Sequence, residues 1–255
     1  MRDSSQVAYA QARAQARFGD RPTEIFWREL EAGRDLPHLI EVVRPSSVGD
    51  AVESLAPSLA AHALEARLRA RWRGVCTEVA DWYPPDWRPA MLWLEWLPWL
   101  PPLAWLQRAG VAPAWLADDP MLGDLVAAEA PARAELLAAG PLAPLAEAWR
   151  DGRDLAEAWR THWRSTWPEG AAQERGGLER LDAVLEGFTP GSAIAGGAAF
   201  DAAVDSAQAA ATRVFRRLAG TPVAGVALLA LFLLDRLRLR AALAEARSFG
   251  QAVPT

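Results

Sequence analysis

The stretch VAGVALLALFLL, Val223–Leu234, is apolar on every face a helix could present, and it stops at Asp235-Arg236. A helix without a polar side must be surrounded by apolar material. A bilayer would do that, but crossing one takes about 20 consecutive apolar residues, and this run is shorter. The stretch is therefore expected to be the central helix of a soluble helical bundle, with a helix covered by a partner protein as the alternative. Its start is marked by GTP: Gly220 ends one helix, Thr221 caps the next, and Pro222 takes the first position.

A second oily stretch, YPPDWRPAMLWLEWLPWLPPLAWL, Tyr83–Leu106, is cut by Pro98, Pro101 and Pro102 and carries Glu95. Proline inside a helix removes a hydrogen bond and clashes with the preceding turn. Two short helices are expected, about Trp87–Leu97 and Leu103–Ala109, with Asp86 as N-cap and Gly110 as the stop. On the first, Trp93, Trp96, Leu97 and Leu100 share a face, Arg88 and Glu95 mark the opposite side, and burial is the expected state.

Helix signals recur elsewhere. Ser4 or Ser5 can cap a helix to Phe18. Pro22 and Thr23 open one through Glu31, closed near Gly33, and Asp35 starts a short one ending before Pro45. Ser58 caps a long helix to about Trp82, on which Leu64, Leu68, Trp72, Val75 and Val79 make one core stripe, with Arg69 and Arg73 on the far side beside His62. Shorter helices are expected near Met121–Glu129, Ala132–Ala139 and Leu142–Arg150. The motif LAEAWR occurs at Leu145–Arg150 and again at Leu155–Arg160, joined by a turn at Asp151-Gly152 with Asp154 as the new cap. Trp159, Trp163 and Trp167 follow one turn apart, as a core ladder. A helix from about Ala171 to Gly187, a flexible loop at Thr189–Gly197, and two long helices, about Ala198–Leu218 and Pro222–Arg247, complete the chain. Alanine, leucine and arginine dominate, isoleucine and threonine are scarce, and no strand signal is present. The expectation is all-α: an irregular multi-helix bundle forming a single domain over residues 1–255, with short proline-broken helices in its middle and two long ones at its end.

Charge and chemistry narrow the function. The formal net charge of −5 argues against sequence-independent nucleic-acid binding, which needs a basic field. The basic side chains are all arginine, which reflects either a GC-rich genome or a surface of planar, bidentate ion pairs. Cys76 is the single cysteine, so no internal disulfide can form; with no apolar leader at the N-terminus, a cytoplasmic location is expected. His38, His62 and His162 are scattered, so no metal site is expected. His62 and Glu65 lie one turn apart, in the reverse of the di-iron order and without a second copy. Gly191–Gly197 lacks the Lys-Ser/Thr ending of a phosphate loop. Asp118-Asp119, before Pro120, resembles a helix cap. No catalytic residue and no cofactor is expected; for an enzyme acting on an apolar substrate, His162 is the nominee. What remains is surface: candidate partner contacts are Arg69, Arg73, Trp93, Trp96, Arg216, Arg217 and Arg236. Arg213, Arg216 and Arg217 crowd one helix end, where arginine also suits the helix dipole, while Arg236, Arg238, Arg240 and Arg247 alternate with leucines.

The two ends of the chain resemble a family of V/A-type rotary ATPase subunits, the C-type central-stalk subunits, whose eukaryotic members are termed d-type. YAQARAQARF followed by EIFWRELEAGRDLPHLIEVV is similar to the family's opening, with Tyr9, Ala12 and Arg13 in the first element and Phe26, Leu30, Leu36, Leu39 and Ile40 in the next two. RPSSVGD stands where the family has a Thr-Pro-Tyr-Gly-like segment. TPVAGVALLALFLLDRLRLRAAL resembles its last helix through Pro222, Asp235, Arg236, Leu237, Arg238 and Leu239. The resemblance implies a non-catalytic adapter of ion transport: a helical funnel seated on the membrane rotor ring that receives the foot of the central shaft. Its partners would be those protein subunits, and it would meet the inner face of the membrane only through them. A cytoplasmic helical scaffold with a groove lined by Trp93 and Trp96 is the alternative to this reading.

Overall fold

The fold is organised around its last helix. The structure, a computed structural model, describes residues 2–33, 35–49, 52, 61–109, 114–189 and 198–252. Among them are helices α1 (Arg2–Gly19), α2 (Glu24–Ala32), α3 (Leu36–Val43), α4 (Ala61–Ala80), α5 (Arg88–Leu92), α6 (Leu100–Ala109) and α7 (Gly123–Ala127). They are followed by α8 (Ala130–Ala139), α9 (Ala146–Arg150), α10 (Leu155–Ser165), α11 (Arg175–Glu186), α12 (Ala198–Arg217) and α13 (Pro222–Ala252), and the described residues contain no strand. The protein is all-α, with two long helices at its end.

Every residue from Val223 to Leu234 except Gly225 is an apolar side chain in the core, so the chain itself surrounds this cylinder, and no partner is required to cover it. α13 packs against α12, α1, α4, α11, α3 and α5. Its first half lies in the main core with the tryptophans of α4 and α10; its second half, through Leu239, Leu243 and Ala246, meets Trp27, Leu30, Leu39 and Ile40 of α2 and α3. Each such large apolar side chain contributes roughly 1.5–3 kcal/mol on burial. No described helix is long and apolar enough to cross a membrane.

Local signals explain most boundaries. Thr23 accepts a hydrogen bond from the Phe26 N–H at the start of α2, and Asp154 accepts from Ala156 N at 2.8 Å at the start of α10. Gly152 and Gly220 adopt φ of 66° and 83°, the left-handed region open to glycine, after α9 and α12. The stripe of α4, Leu64 to Val79, is buried as its spacing requires. Some boundaries move. α1 begins at Arg2, so Ser4 and Ser5 lie within it, and α11 begins at Arg175 after a series of turns. Ser58, Gly110 and the loop from residue 190 to 197 lie outside the described residues.

The tryptophan-rich stretch departs most from expectation. Asp86 is not a cap but sits inside a 3-10 turn, Pro85–Trp87. α5 then gives way to a 3-10 segment, Trp93–Trp99, which contains Pro98 and runs directly into α6, whose first turn holds Pro101 and Pro102. Proline is tolerated in a first turn because the N–H there is unpaired anyway. At Pro98 the chain narrows to 3-10 geometry instead of stopping. Carbonyls of α5 and of this segment accept indole N–H groups from other helices: Leu94 O from Trp72 Nε1 at 2.9 Å, Trp93 O from Trp159 Nε1 at 3.3 Å, and Ala90 O from Trp163 Nε1 at 2.8 Å. Trp93 Nε1 in turn donates to Trp159 O at 3.1 Å.

Candidate functional site

Arginine–carboxylate pairs with a buried member tie separate elements together. Arg21, just after α1, grips Asp235 of α13 through Nε to Oδ2 at 2.7 Å and Nη2 to Oδ1 at 2.8 Å, and Gln208 of α12 donates to the same carboxylate at 2.9 Å. Asp235 is 1% exposed. Burial pushes its carboxyl above the ordinary range, and Arg21 pulls against that. Three residues on, Arg238 donates to Glu31 of α2 at 2.6 Å and lies within ion-pair reach of Glu24 and Asp205. Elsewhere in the molecule, Asp182 of α11 accepts from Arg160 and Arg164 of α10, at 3.0 and 2.6 Å.

The candidate contact residues scatter over several environments. Arg69 does not face outward from α4: it is 5% exposed and donates to Asp119 at 2.7 Å. Asp119 also accepts from Trp99 Nε1 and from Met121 N, so it serves both as a turn cap and as the counter-charge that lets Arg69 be buried. Arg73 is part-buried, bonds Glu95 at 3.3 Å and lies over the Trp96 ring. Trp93 and Trp96, 7% and 3% exposed, are core residues, so the groove expected from them is absent from the described surface. Arg236 is also buried, above the Trp72 ring. Arg216 and Arg217 are exposed at the end of α12, and Arg217 borders an open groove of about 640 Å³ between α11 and α12.

A second cleft, of about 440 Å³, opens between α4, the start of α6 and α13. Leu68 and Trp72 form one wall, Pro98, Pro101 and Pro102 another, and Leu233 and Leu237 the floor. Arg69, Arg236 and Arg240 reach it, with Glu65, the ion-pair partner of Arg240. Sequence spacing did not reveal this cleft, because its lining comes from widely separated stretches of the chain; the proline ridge, read as a helix breaker, was its visible trace.

His162 borders neither cleft. Its ring stands edge-on to Trp93 at 4.4 Å, and burial holds its pKa below the ordinary 6.5. Cys76 is fully buried and desolvation raises its thiol pKa, the opposite of an activated nucleophile. The described residues contain no group of three or more His, Cys, Asp or Glu side chains able to hold a metal ion. No protein-family model matches the chain, and no curated protein matches it.

Proposed function

We propose that this chain is a non-catalytic adapter of a V/A-type rotary ATPase, coupling the central shaft to the membrane rotor ring for ion transport. One observation carries the reading. The two segments that bear the resemblance stand at opposite ends of the sequence, yet they meet as one unit. Arg21 and Asp235 are 214 positions apart and share two short hydrogen bonds. Phe26, Leu30, Leu39 and Ile40 close over Leu239 and Leu243. The acidic residue after the apolar run and the Arg/Leu alternation that follows it thus hold the first three helices against the last. A body cross-braced by buried ion pairs is stiff, as transmission of torque demands. The exposed Arg216 and Arg217 are the contacts such an adapter would offer an acidic partner.

The test is affinity purification of the tagged chain from detergent-solubilised membranes. Ring and shaft proteins are expected to co-purify, and Arg216→Glu/Arg217→Glu is expected to weaken the association while leaving the helical content intact. Recovery of the chain as a free monomer, while ring and shaft proteins are isolated together without it, would refute the reading.

A further inference from the structure

The open groove between α11 and α12, of about 640 Å³, follows one face of a long helix. Along α12 its lining residues Ala203, Ala207, Ala210, Val214 and Arg217 recur at spacings of four and three. At roughly 1.5 Å per residue that face runs about 21 Å, close to four helical turns. Ala183 and Gly187 on the α11 side are also short, so a trough remains between the two helices. Val184, Phe188 and Val214 supply its larger apolar surface.

The rim is cationic. Arg180, Arg213 and Arg217 are exposed along it, and no carboxylate is among the described lining residues. None of the three makes an ion pair or hydrogen bond with a described residue. None has an acidic residue three or four positions away, the spacing at which a helix could neutralise its own arginine. Carboxylates of the same two helices are engaged elsewhere: Asp182 and Glu186 by Arg160, and Asp205 by Arg238. The segment 190–197, PGSAIAGG, brings no acid either. In a chain of formal net charge −5, the groove is thus a local field of the opposite sign.

We propose that the groove docks an acidic amphipathic helix of another protein, with an apolar stripe in the trough and carboxylates meeting Arg180, Arg213 and Arg217. An extended segment fits less well. Ser206 is the one uncharged polar side chain among the described lining residues, so the backbone of a strand would go unpaired, whereas a helix satisfies its own. The docking does not depend on a rotary assembly.

Fluorescence anisotropy tests this with a labelled, end-capped peptide of about 18 residues, built from alanine, leucine and glutamate, with leucines on one helical stripe and glutamates on both flanks. Two controls replace its glutamates by lysine or scatter its leucines. The glutamate peptide is expected to bind about tenfold or more tightly than the lysine one. Arg180→Glu/Arg213→Glu is expected to reverse that preference. Ala183→Trp, which fills the trough, is expected to weaken the glutamate peptide about tenfold. All three positions are exposed, and circular dichroism melts establish that the fold is kept. Equal binding of the glutamate and lysine peptides overturns the proposal, as does unchanged binding in a folded Arg180→Glu/Arg213→Glu variant. Equal binding of the scattered peptide overturns it too, because the rim would then be reading charge without a helix. So does failure of the glutamate peptide to bind while the chain sediments with phosphatidylglycerol vesicles, or while it forms a dimer that Ala183→Trp disrupts. Binding that needs Ile194→Asp overturns it as well, because the groove would then belong to the chain's own segment.

Discussion

Pro98 has no N–H to give the Leu94 carbonyl, its partner in an α-helix, and the Trp72 indole supplies one from α4. Removing that donor while keeping an aromatic ring isolates the effect: Trp72→Phe should cost about 0.5–1.5 kcal/mol, the net contribution of one hydrogen bond, measured as a shift in the urea midpoint. Asp182 offers a second test. Desolvation, the largest single influence, raises its pKa, but the hydrogen bonds from Arg160 and Arg164 together outweigh it and hold the carboxyl below the ordinary 3.8. The sign follows from linkage. An acid whose pKa is lower in the folded than in the unfolded protein stabilises above the unfolded value, and that stability disappears as pH falls through the folded value. Stability of the native chain should therefore decline as pH drops below about 4, with a shallower decline in Asp182→Asn. At neutral pH the substitution should cost about 2–3 kcal/mol, less than a fully broken buried pair, because Arg160 keeps Glu186 at 2.6 Å. Equilibrium unfolding across pH measures both.

Among the elements, α13 carries a glycine, Gly225, in its most buried stretch, where alanine would be the better helix former. The reason is a close approach. A Cβ there would collide with the Tyr83 ring and stand 2.9 Å from the Met91 Cε, both residues fully buried. Gly225→Ala is expected to destabilise by about 1–3 kcal/mol, the usual cost of overpacking, despite its propensity gain. Gly177 of α11 provides a contrast: its nearest atom is the tip of the part-exposed Leu218, which can turn aside, so Gly177→Ala should cost less. The seam between the first helices and α13 depends on the Arg21 pair. Arg21→Ala leaves Asp235 buried without its cation and should cost about 3–5 kcal/mol. Limited proteolysis should then cut within residues 20–35 well before α12 or α13; equal resistance in native and variant chains would contradict that.

Across the molecule, the enclosure of α13 sets an order of stability. Amides from Val223 to Leu233 lie in the main core and should exchange hydrogen most slowly, at rates near global unfolding, whereas those of the short helices α7 and α9 should exchange by local opening. Hydrogen-exchange mass spectrometry reads this directly. Much of this architecture was legible in the sequence. The apolar cylinder, the α4 stripe, the duplicated LAEAWR turn and the GTP restart each depend on side chains close in sequence, where helical pitch alone fixes the geometry. The candidate contacts were less legible. Helical spacing put Arg69 on an outer face, and Trp93 and Trp96 were open to either core or surface. A periodic pattern records which residues share a side of one helix, not what stands opposite that side.

From the order of residues alone it follows that this chain is helical, that one helix must be enclosed, and that arginine is its only strong cation. Which arginines are buried depends on folding, because partners for a buried guanidinium come from other elements: Asp119 for Arg69, Glu31 for Arg238 and Asp182 for Arg160. Folding likewise settles that the prolines of the tryptophan-rich stretch narrow it to 3-10 geometry without ending the helical path, where indoles from α4 and α10 donate to its carbonyls. Such pairings join atoms far apart along the chain, and no local pattern encodes them.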